Sequence, residues 1–358
     1  ADALVRPPAG RPGGRLRAGA PAPRSSADDG NLSQVHTLLS GKAGGAAGPG
    51  TDRRRFLAGC LFPLLAGGAE EPGFTSLFDG RTLGGWTVRD GPESAFYARD
   101  GAIVIHEGSG APAWLRSDRQ YENFDLRGEF FMQGWSDSGI YIHAPEHGRN
   151  TWCGMQIKLF HQVDKIPTAQ SMGSVFPLVA PLRVNVKDRA WNTLRVFADW
   201  PVFRVWVNDE TVQDLDVTRT PDLRYRLRRG YLGIASLSYP LRFRNLRIRE
   251  LPSTEKWETL YESPEDLAGK WFVSEGEPGF QALGPVLRGD GVGHIATRDK
   301  YQDLELRCYV RAARYHNGGL LFRSEGKGLK GRTYEIQLHN VEEAHFPTGS
   351  LYYHKRSV

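Results

Sequence analysis

Residues Tyr121–Arg127 read YENFDLR, and 180 positions later Tyr301–Arg307 read YQDLELR. At the same spacing SGIYIH at 138–143 returns as GGLLFR at 318–323, and MQI at 155–157 returns 181 positions later as IQL at 336–338. Three ordered blocks at an almost constant offset indicate a tandem duplication whose repeats are longer than the units that build solenoids. We therefore predict two related domains, copy one at residues 73–251 and copy two at residues 257–358.

The distribution of charge argues against a nucleic-acid ligand. The 358-residue chain carries a net charge of +5, but residues 1–69 hold nine Lys/Arg and four Asp/Glu, which accounts for all of it. The rest of the chain holds 37 basic and 37 acidic residues and is neutral. Basic residues confined to a leader do not make the basic patch that nucleic-acid binding requires.

The first 69 residues are predicted to precede the folded part. Residues 1–50 are rich in Ala, Gly, Pro and Arg without apolar periodicity, which predicts disorder. Residues 51–69 resemble a Tat-type signal peptide, because Arg53–Arg55 precede a short apolar run and small residues up to Ala69. A lipoprotein box ending at Cys60 is the less favoured alternative, since only four residues separate it from the arginines.

This leader predicts a bacterial protein exported to the periplasm or the extracellular space. The apolar run is too short to span a bilayer, so no integral membrane segment is expected in the mature chain. No Met precedes Met132, and 21 residues follow Gln337 against 95 after Gln156 in copy one. We therefore expect the natural chain to extend at both ends and copy two to be incomplete here.

The secondary-structure pattern is that of strands and turns. Short β-rich runs are separated by turn signals such as Asp90-Gly91 and Asn208-Asp209, and no capped amphipathic helix of ten residues is found. Many short antiparallel strands in about 180 residues predict an all-β sandwich or jelly roll. Cys153 and Cys308 fall one in each copy without metal-site spacing, so we predict buried free thiols.

Strand alternation predicts one polar sheet face in each copy. Ile140 and Ile142 are predicted to face a core, with the intervening side chains on the opposite face. The polar positions are Tyr141, His143, Gln156 and Lys158 in copy one, and Arg323, Glu335, Gln337 and His339 in copy two. A solvated outer face explains this pattern equally well.

Together with Phe78–Gly80, Leu83–Trp86, Asp100–Ile103, Trp191-Asn192 and Gly230–Ile234, these blocks resemble the 3-keto-disaccharide hydrolase domain family. The resemblance covers copy one from end to end and copy two as far as it runs. It implies a concanavalin A-like (LamG-like) jelly roll in each copy and action on glycosides already oxidised at C3. A C3 ketone acidifies the C2 proton, so a base can remove it and the C1 oxygen can leave.

The resemblance implies a site with an Arg after Ser-Gly-Ile, then Glu-x-Gln and a nearby Asp. Copy two offers Arg323, Glu335 and Gln337, with Asn340 at the position of the Asp. Glu335 is the predicted general base and His339 a second catalytic candidate, while Gln337 and Arg323 are predicted to bind substrate.

Copy one meets the same pattern less well. It keeps Gln156 but has His143 for the Arg, Gly154 for the Glu and Leu159 for the Asp. Substitutes are needed, so Asp137 and His143 are the catalytic candidates of this copy. The predicted substrate-binding residues of copy one are Tyr141, Gln156, Lys158 and His161. A divalent metal stays open, since His143, His147 and His161 could cluster but match no specific site.

Two functions follow from these observations. The first is an exported hydrolase or lyase-type enzyme that cleaves 3-keto-glycosides by removal of the C2 proton and loss of the C1 substituent. The second is a non-catalytic carbohydrate-binding jelly-roll protein, because folds of this kind support both roles. In either case the expected partner is an oligosaccharide or glycoside.

Overall fold

The computed structural model describes residues 37–41, 71–109, 112–253, 255–313, 315–325, 332–341 and 343–357. The predicted signal peptide lies outside these residues, as does the predicted disordered segment apart from its residues 37–41. Thr37–Gly41, within the segment predicted to be disordered, form a strand. This short run carries a β-branched Thr and two Leu, which suit a strand better than the Ala, Gly and Pro around it.

The described residues form mainly β-strands. In chain order these are β1 (Thr37–Gly41), β2 (Thr75–Ser76), β3 (Trp86–Arg89), β4 (Phe96–Arg99), β5 (Ala102–Ile105), β6 (Ala113–Tyr121), β7 (Phe124–Met132), β8 (Asp137–Ala144), β9 (Met155–Phe160), β10 (Trp191–Asp199), β11 (Val202–Val207), β12 (Glu210–Asp216), β13 (Gly230–Ser236), β14 (Leu241–Glu250), β15 (Trp257–Tyr261), β16 (Trp271–Pro278), β17 (Gln281–Leu283), β18 (Val286–Arg288), β19 (Gly291–Thr297), β20 (Leu304–Cys308), β21 (Asn317–Phe322) and β22 (Tyr334–His339). The α-helices are α1 (Asn150–Cys153) and α2 (Pro264–Lys270).

Copy one is a sandwich of two antiparallel sheets. The larger sheet has the strand order β12-β11-β10-β7-β14-β5-β4, with β2 on β14, and the smaller sheet has the order β3-β6-β13-β8-β9. Alternate side chains of both sheets meet in one core that includes Phe130, Ile142, Ile157, Val205 and Phe243. Each such buried side chain contributes about 1.5–3 kcal/mol through burial of apolar surface. The predicted all-β, concanavalin A-like jelly-roll fold is confirmed.

Copy two repeats the strand pairs of copy one as far as it is described. The pairs β16–β19, β17–β18 and β21–β22 correspond in chain order to β3–β6, β4–β5 and β8–β9. Helix α2 begins after Ser263 with a capping box completed by Asp266, which satisfies the free backbone N–H groups of its first turn. A further sheet has the order β15-β1-β20.

The chain divides into two compact units whose limits differ from the repeat boundaries. One holds residues 37–260 and 299–309, and the other holds residues 261–298 and 310–358. In the described residues no helix is long and apolar enough to cross a membrane. Cys153 and Cys308 are free thiols; burial raises the pKa of both, so they are weak nucleophiles.

A turn segment covers the outer edge of β9. Val175 bridges Ile157, and the backbone N–H of Phe176 donates to the carbonyl of Gln156 at 2.9 Å. The same arrangement recurs in copy two. There Leu351 bridges Ile336, so the edge of β22 is covered in the same way.

Candidate active site

The strand register shows which residues of the two copies are equivalent. In copy one Gly139 of β8 lies opposite Lys158 of β9, and in copy two Gly319 of β21 lies opposite Gln337 of β22. The two glycines are equivalent by the sequence repeat. Lys158 therefore occupies the position of Gln337.

The neighbouring pair extends this equivalence to the predicted base. Gln156 lies opposite Tyr141, and Glu335 lies opposite Leu321, which is 180 positions after Tyr141. The edge segments agree, because the N–H of Phe176 donates to the carbonyl of Gln156 and the N–H of Tyr352 donates to the carbonyl of Glu335, each at 2.9 Å. Gln156 therefore occupies the position of Glu335.

This register corrects the sequence assignment of copy one. Gly154 does not stand at the position of the family's Glu. A Cβ atom at Gly154 would lie 2.5 Å from the carbonyl oxygen of His143, so no side chain fits there. Leu159 does not stand at the position of the family's Asp either. The backbone N–H of His161 donates to the carbonyl of Ser136, and that of Asn340 donates to the carbonyl of His316, the equivalent of Ser136 in the repeat. The position of Asn340 is held by His161 in copy one.

Glu335 is a buried carboxylic acid, with only 8% of the residue exposed. Burial raises its pKa, and the nearby charge of His294 partly opposes this increase. In the orientation that satisfies its neighbours, the side-chain amide of Gln337 donates to Oε1 of Glu335 at 3.2 Å and to the carbonyl of Gly318 at 3.0 Å. Gln337 thus fixes the position of a carboxyl group whose proton affinity is increased by burial.

Gln156 and Lys158 form a different arrangement on the equivalent face of copy one. Gln156 is 6% exposed, and its Nε2 donates to the carbonyl of Ser138 at 3.4 Å. Lys158 is also buried and places its Nζ 2.5 Å from Oδ1 of Asp137 and 4.5 Å from the ring centroid of Phe176. This face therefore has an amide and an ion pair, and Asp137 is held by an ammonium group.

His143 does not join this face, contrary to the prediction. Its backbone has φ +51°, which interrupts the alternation of β8. The ring turns against Phe124 at a centroid distance of 5.6 Å, with Nε2 2.7 Å from the carbonyl oxygen of Glu122. Burial lowers the pKa of His143 to about 4, so the imidazole is neutral near pH 7. Its equivalent Arg323 has the same left-handed backbone, with φ +56°.

Tyr141 and His161 are the two other predicted ligands of copy one. Tyr141 is opposite Gln156, its ring meets Trp114 edge to face at 5.6 Å, and burial raises its pKa. His161 follows β9 and places Nδ1 3.6 Å from Oδ1 of Asp188. The exposed Trp135 lies beside it, with a ring centroid distance of 6.1 Å.

His339 is the last residue of β22, opposite Asn317 and on the same side of the strand as Gln337. Its carbonyl accepts the N–H of Thr348 at 3.2 Å. Phe160 occupies the equivalent position in copy one, opposite Asp137. The structure thus places His339 two residues from Gln337, at the end of the strand that carries Glu335.

The structure adds His294 and Glu275, which the sequence prediction missed. Nδ1 of His294 on β19 lies 3.4 Å from Oε2 of Glu275 on β16. Copy one has Trp114 and Asp90 in their place, and the indole Nε1 donates to Oδ2 of Asp90 at 2.9 Å. The repeat offset of 180 leads directly from Trp114 to His294 and could have revealed the substitution.

The proposed three-histidine metal cluster does not form. His143 is buried against Phe124, His147 contacts the ring of Tyr309 at 5.4 Å, and His161 contacts Asp188. Across the described part of the chain, no group of three or more His, Cys, Asp or Glu side chains could hold a metal ion.

Comparison with known proteins identifies the family. The family model described as a 3-keto-alpha-glucoside-1,2-lyase-like domain matches residues 73–249 and again residues 252–357. The chain belongs to this family and contains two copies of its domain. Among curated proteins no match is found.

Solved structures similar to this chain include carbohydrate-active proteins. A proposed glycosyl hydrolase of Parabacteroides distasonis is 18% identical, with a TM-score of 0.44 over 50% of this chain and 94% of the other. The carbohydrate-binding module CBM66 of Bacillus subtilis is 11% identical, with a TM-score of 0.35 over 49% of this chain and all of the other. A glycosyl hydrolase family protein of Mycobacterium fortuitum is 11% identical, with a TM-score of 0.32 over 50% and 100%.

Proposed function

We propose that this protein cleaves 3-keto-glycosides in copy two, with Glu335 as the general base that removes the C2 proton. The observation that carries the proposal is the buried carboxyl group of Glu335, which Gln337 holds by a hydrogen bond. At the equivalent position copy one has the amide of Gln156. Burial raises the pKa of Glu335, and a general base works best when its pKa lies near the working pH. Membership of the 3-keto-alpha-glucoside-1,2-lyase-like family supports the same reaction.

The reaction is an elimination made possible by the C3 ketone. The C2–H electron pair moves towards the ketone as Glu335 takes the proton, which gives an enolate. Collapse of the enolate forms a C1=C2 double bond and breaks the bond from C1 to the glycosidic oxygen. The departing oxygen takes up a proton and leaves as an alcohol. Addition of water to the resulting enone gives net hydrolysis.

Copy one supports the second function, saccharide binding without cleavage. Gln156 stands where copy two has its carboxylate, and an amide cannot accept the C2 proton. The exposed indole of Trp135, whose ring lies 5.6 Å from that of Phe160, offers a flat apolar surface at the end of this face. Rings of this kind bury a large apolar area against a ligand. We assign copy one a binding role on these grounds.

Kinetics with Glu335→Gln test the catalytic proposal. The substitution keeps size and hydrogen bonding but removes the base, so kcat on 3-keto-lactose should fall by about 10²–10⁴-fold. Gln156→Ala is the matched control, because it changes the equivalent position of copy one and should leave kcat unaltered. An unchanged kcat in Glu335→Gln would leave saccharide binding as the function of both copies.

Export is proposed from the Tat-like leader alone. Cleavage near Ala69 would give a mature chain that begins close to Glu70. Mass spectrometry of protein collected from the periplasm or medium measures this end directly, and a retained leader or a lipid on Cys60 would contradict the proposal.

A further inference from the structure

A histidine–carboxylate pair in copy two is not used by the mechanism described so far. His294 and Glu275 lie on neighbouring strands and approach to 3.4 Å between Nδ1 and Oε2. Their side chains are largely buried, with exposed fractions of 25% and 20%. The backbone of His294 is fixed by its pairing with Glu275 and by Ser274 Oγ, which donates to the His294 carbonyl at 3.3 Å.

The pair belongs to the same site as Glu335, because the equivalent Trp114 of copy one meets the ring of Tyr141 at 5.6 Å and Tyr141 lies opposite Gln156, the equivalent of Glu335. The charge of His294 acts on the Glu335 carboxyl and lowers its pKa, against the effect of burial. Nδ1 of His294 is buried without a well-aligned hydrogen bond, and the carboxylate of Glu275 is the acidic group within ion-pair distance of it. Because Nδ1 lies 3.4 Å from Glu275, the ring nitrogen to which we assign a role is the opposite one, Nε2.

The comparison of the copies gives independent support. Copy one has no carboxylate at the Glu335 position and no imidazole at the His294 position. Trp114 stands there with its Nε1 bound to Asp90, and an indole N–H does not titrate. A carboxyl partner is present in both copies, whereas Gln156 and Trp114 of copy one, in place of Glu335 and His294, cannot exchange protons.

We propose that His294 is the general acid of copy two, held by Glu275 as a positioning residue, and that it protonates the departing glycosidic oxygen. The proposal rests on the proposed cleavage of 3-keto-glycosides. It completes the proton balance of that reaction. Glu335 gains the C2 proton, the bond from C1 to oxygen breaks with its electron pair on oxygen, and the imidazolium of His294 gives that oxygen a proton. A sugar alcohol is a poor leaving group without this proton, whereas a nitrophenolate needs none.

The experiment uses this difference between leaving groups in the full chain. His294→Gln should lower kcat/KM on 3-keto-lactose by about 10²–10⁴-fold and on 4-nitrophenyl 3-keto-glucoside by less than about tenfold. Glu335→Gln should lower both rates alike, since every substrate loses the C2 proton. His354→Gln is the control, because His354 is an exposed histidine of the same copy, and it should change neither rate.

Each result decides the matter. Equal loss on both substrates in His294→Gln, or loss on neither, would overturn the role of general acid while leaving the base in place. Absence of turnover in the unaltered protein would overturn the proposed function itself. Glu275→Gln is the second variant, should His294→Gln fail to fold. It should show the same leaving-group dependence with a smaller loss, and an equal loss on both substrates would again overturn the proposal.

Discussion

Copy one and copy two have the same backbone at the candidate site but different side chains on it. Gly139 lies opposite Lys158 of β9, and Gly319 lies opposite Gln337 of β22. In each copy an equivalent turn segment covers the outer edge of that strand. Among the changes that separate them are Glu335 to Gln156, Gln337 to Lys158 and His294 to Trp114. The shared backbone therefore determines where the side chains stand, and the side chains at these positions determine which groups can transfer a proton.

The charged groups on the polar faces of the two copies also differ. In copy two, burial increases the proton affinity of Glu335, and the hydrogen-bond partner of its carboxyl group is the uncharged amide of Gln337. In copy one, Asp137 is paired with the buried ammonium of Lys158. A paired charge of this kind favours specific orientation more than stability. Copy two is thus arranged for proton transfer and copy one for a fixed set of hydrogen bonds.

The largest effect expected from this comparison concerns acid stability. His143 has a folded pKa of about 4 against an ordinary value of 6.5, so the unfolded chain binds more protons between these values. Stability from this group is complete above pH 6.5 and falls by about 3 kcal/mol as the pH drops to 4.

His143→Asn tests this dependence, because Asn tolerates positive φ and keeps a donor for Glu122. Urea melts between pH 7 and pH 4 should show a flatter dependence of the unfolding free energy on pH. His106→Asn, which changes an exposed histidine, should retain the slope of the unaltered protein. A steep slope in His143→Asn would place the acid sensitivity elsewhere.

A second test displaces the equivalent side chains of Glu335 and Gln156 by adding a methyl group to the glycine beside each. A Cβ at Gly319 would lie 2.1 Å from Oε1 of Glu335, and one at Gly139 would lie 2.2 Å from Nε2 of Gln156. Each must push its neighbour aside. Gly319→Ala should lower kcat by about 10²-fold, the effect expected of a misplaced base. Gly139→Ala should leave kcat unchanged, and a comparable loss there would show that copy one takes part in turnover.

The smallest effect is expected from restoring the carboxylate of copy one. Gln156→Glu in a Glu335→Gln background should yield no more turnover of 3-keto-lactose than Glu335→Gln alone, because Trp114 still replaces the imidazole. Gln156→Glu together with Trp114→His is the sharper variant. Activity recovered by the single change would show that a base at this position is sufficient and would weaken the comparison.

Much of this fold followed from the sequence. The duplication, the all-β class and the inward direction of Ile140 and Ile142 rest on repeat spacing and on alternation, which are local properties of the chain. The position of Glu335 on the polar face followed in the same way. Tyr141 and Lys158 also lie on the predicted side of their strands.

The sequence did not show correctly which residues of β9 and β22 are equivalent. The connection between the paired strands is one residue shorter in copy two, so Gln156 aligns with Glu335 and not with Gln337. The sequence match was displaced by two residues, and a displacement of two preserves alternation, so the pattern gave no sign of error. His143 escaped prediction for another reason, since a left-handed residue at a strand end reverses the side chain without any periodic signal.

The covered edge of β9 and β22 has a consequence for the protein in concentrated solution. An open edge of a sheet is a template on which another chain can add a strand. Here the backbone groups of the site strand are already used, by the N–H of Phe176 in copy one and by that of Tyr352 in copy two. The same turn that steadies the candidate base from outside therefore also protects against aggregation through that edge.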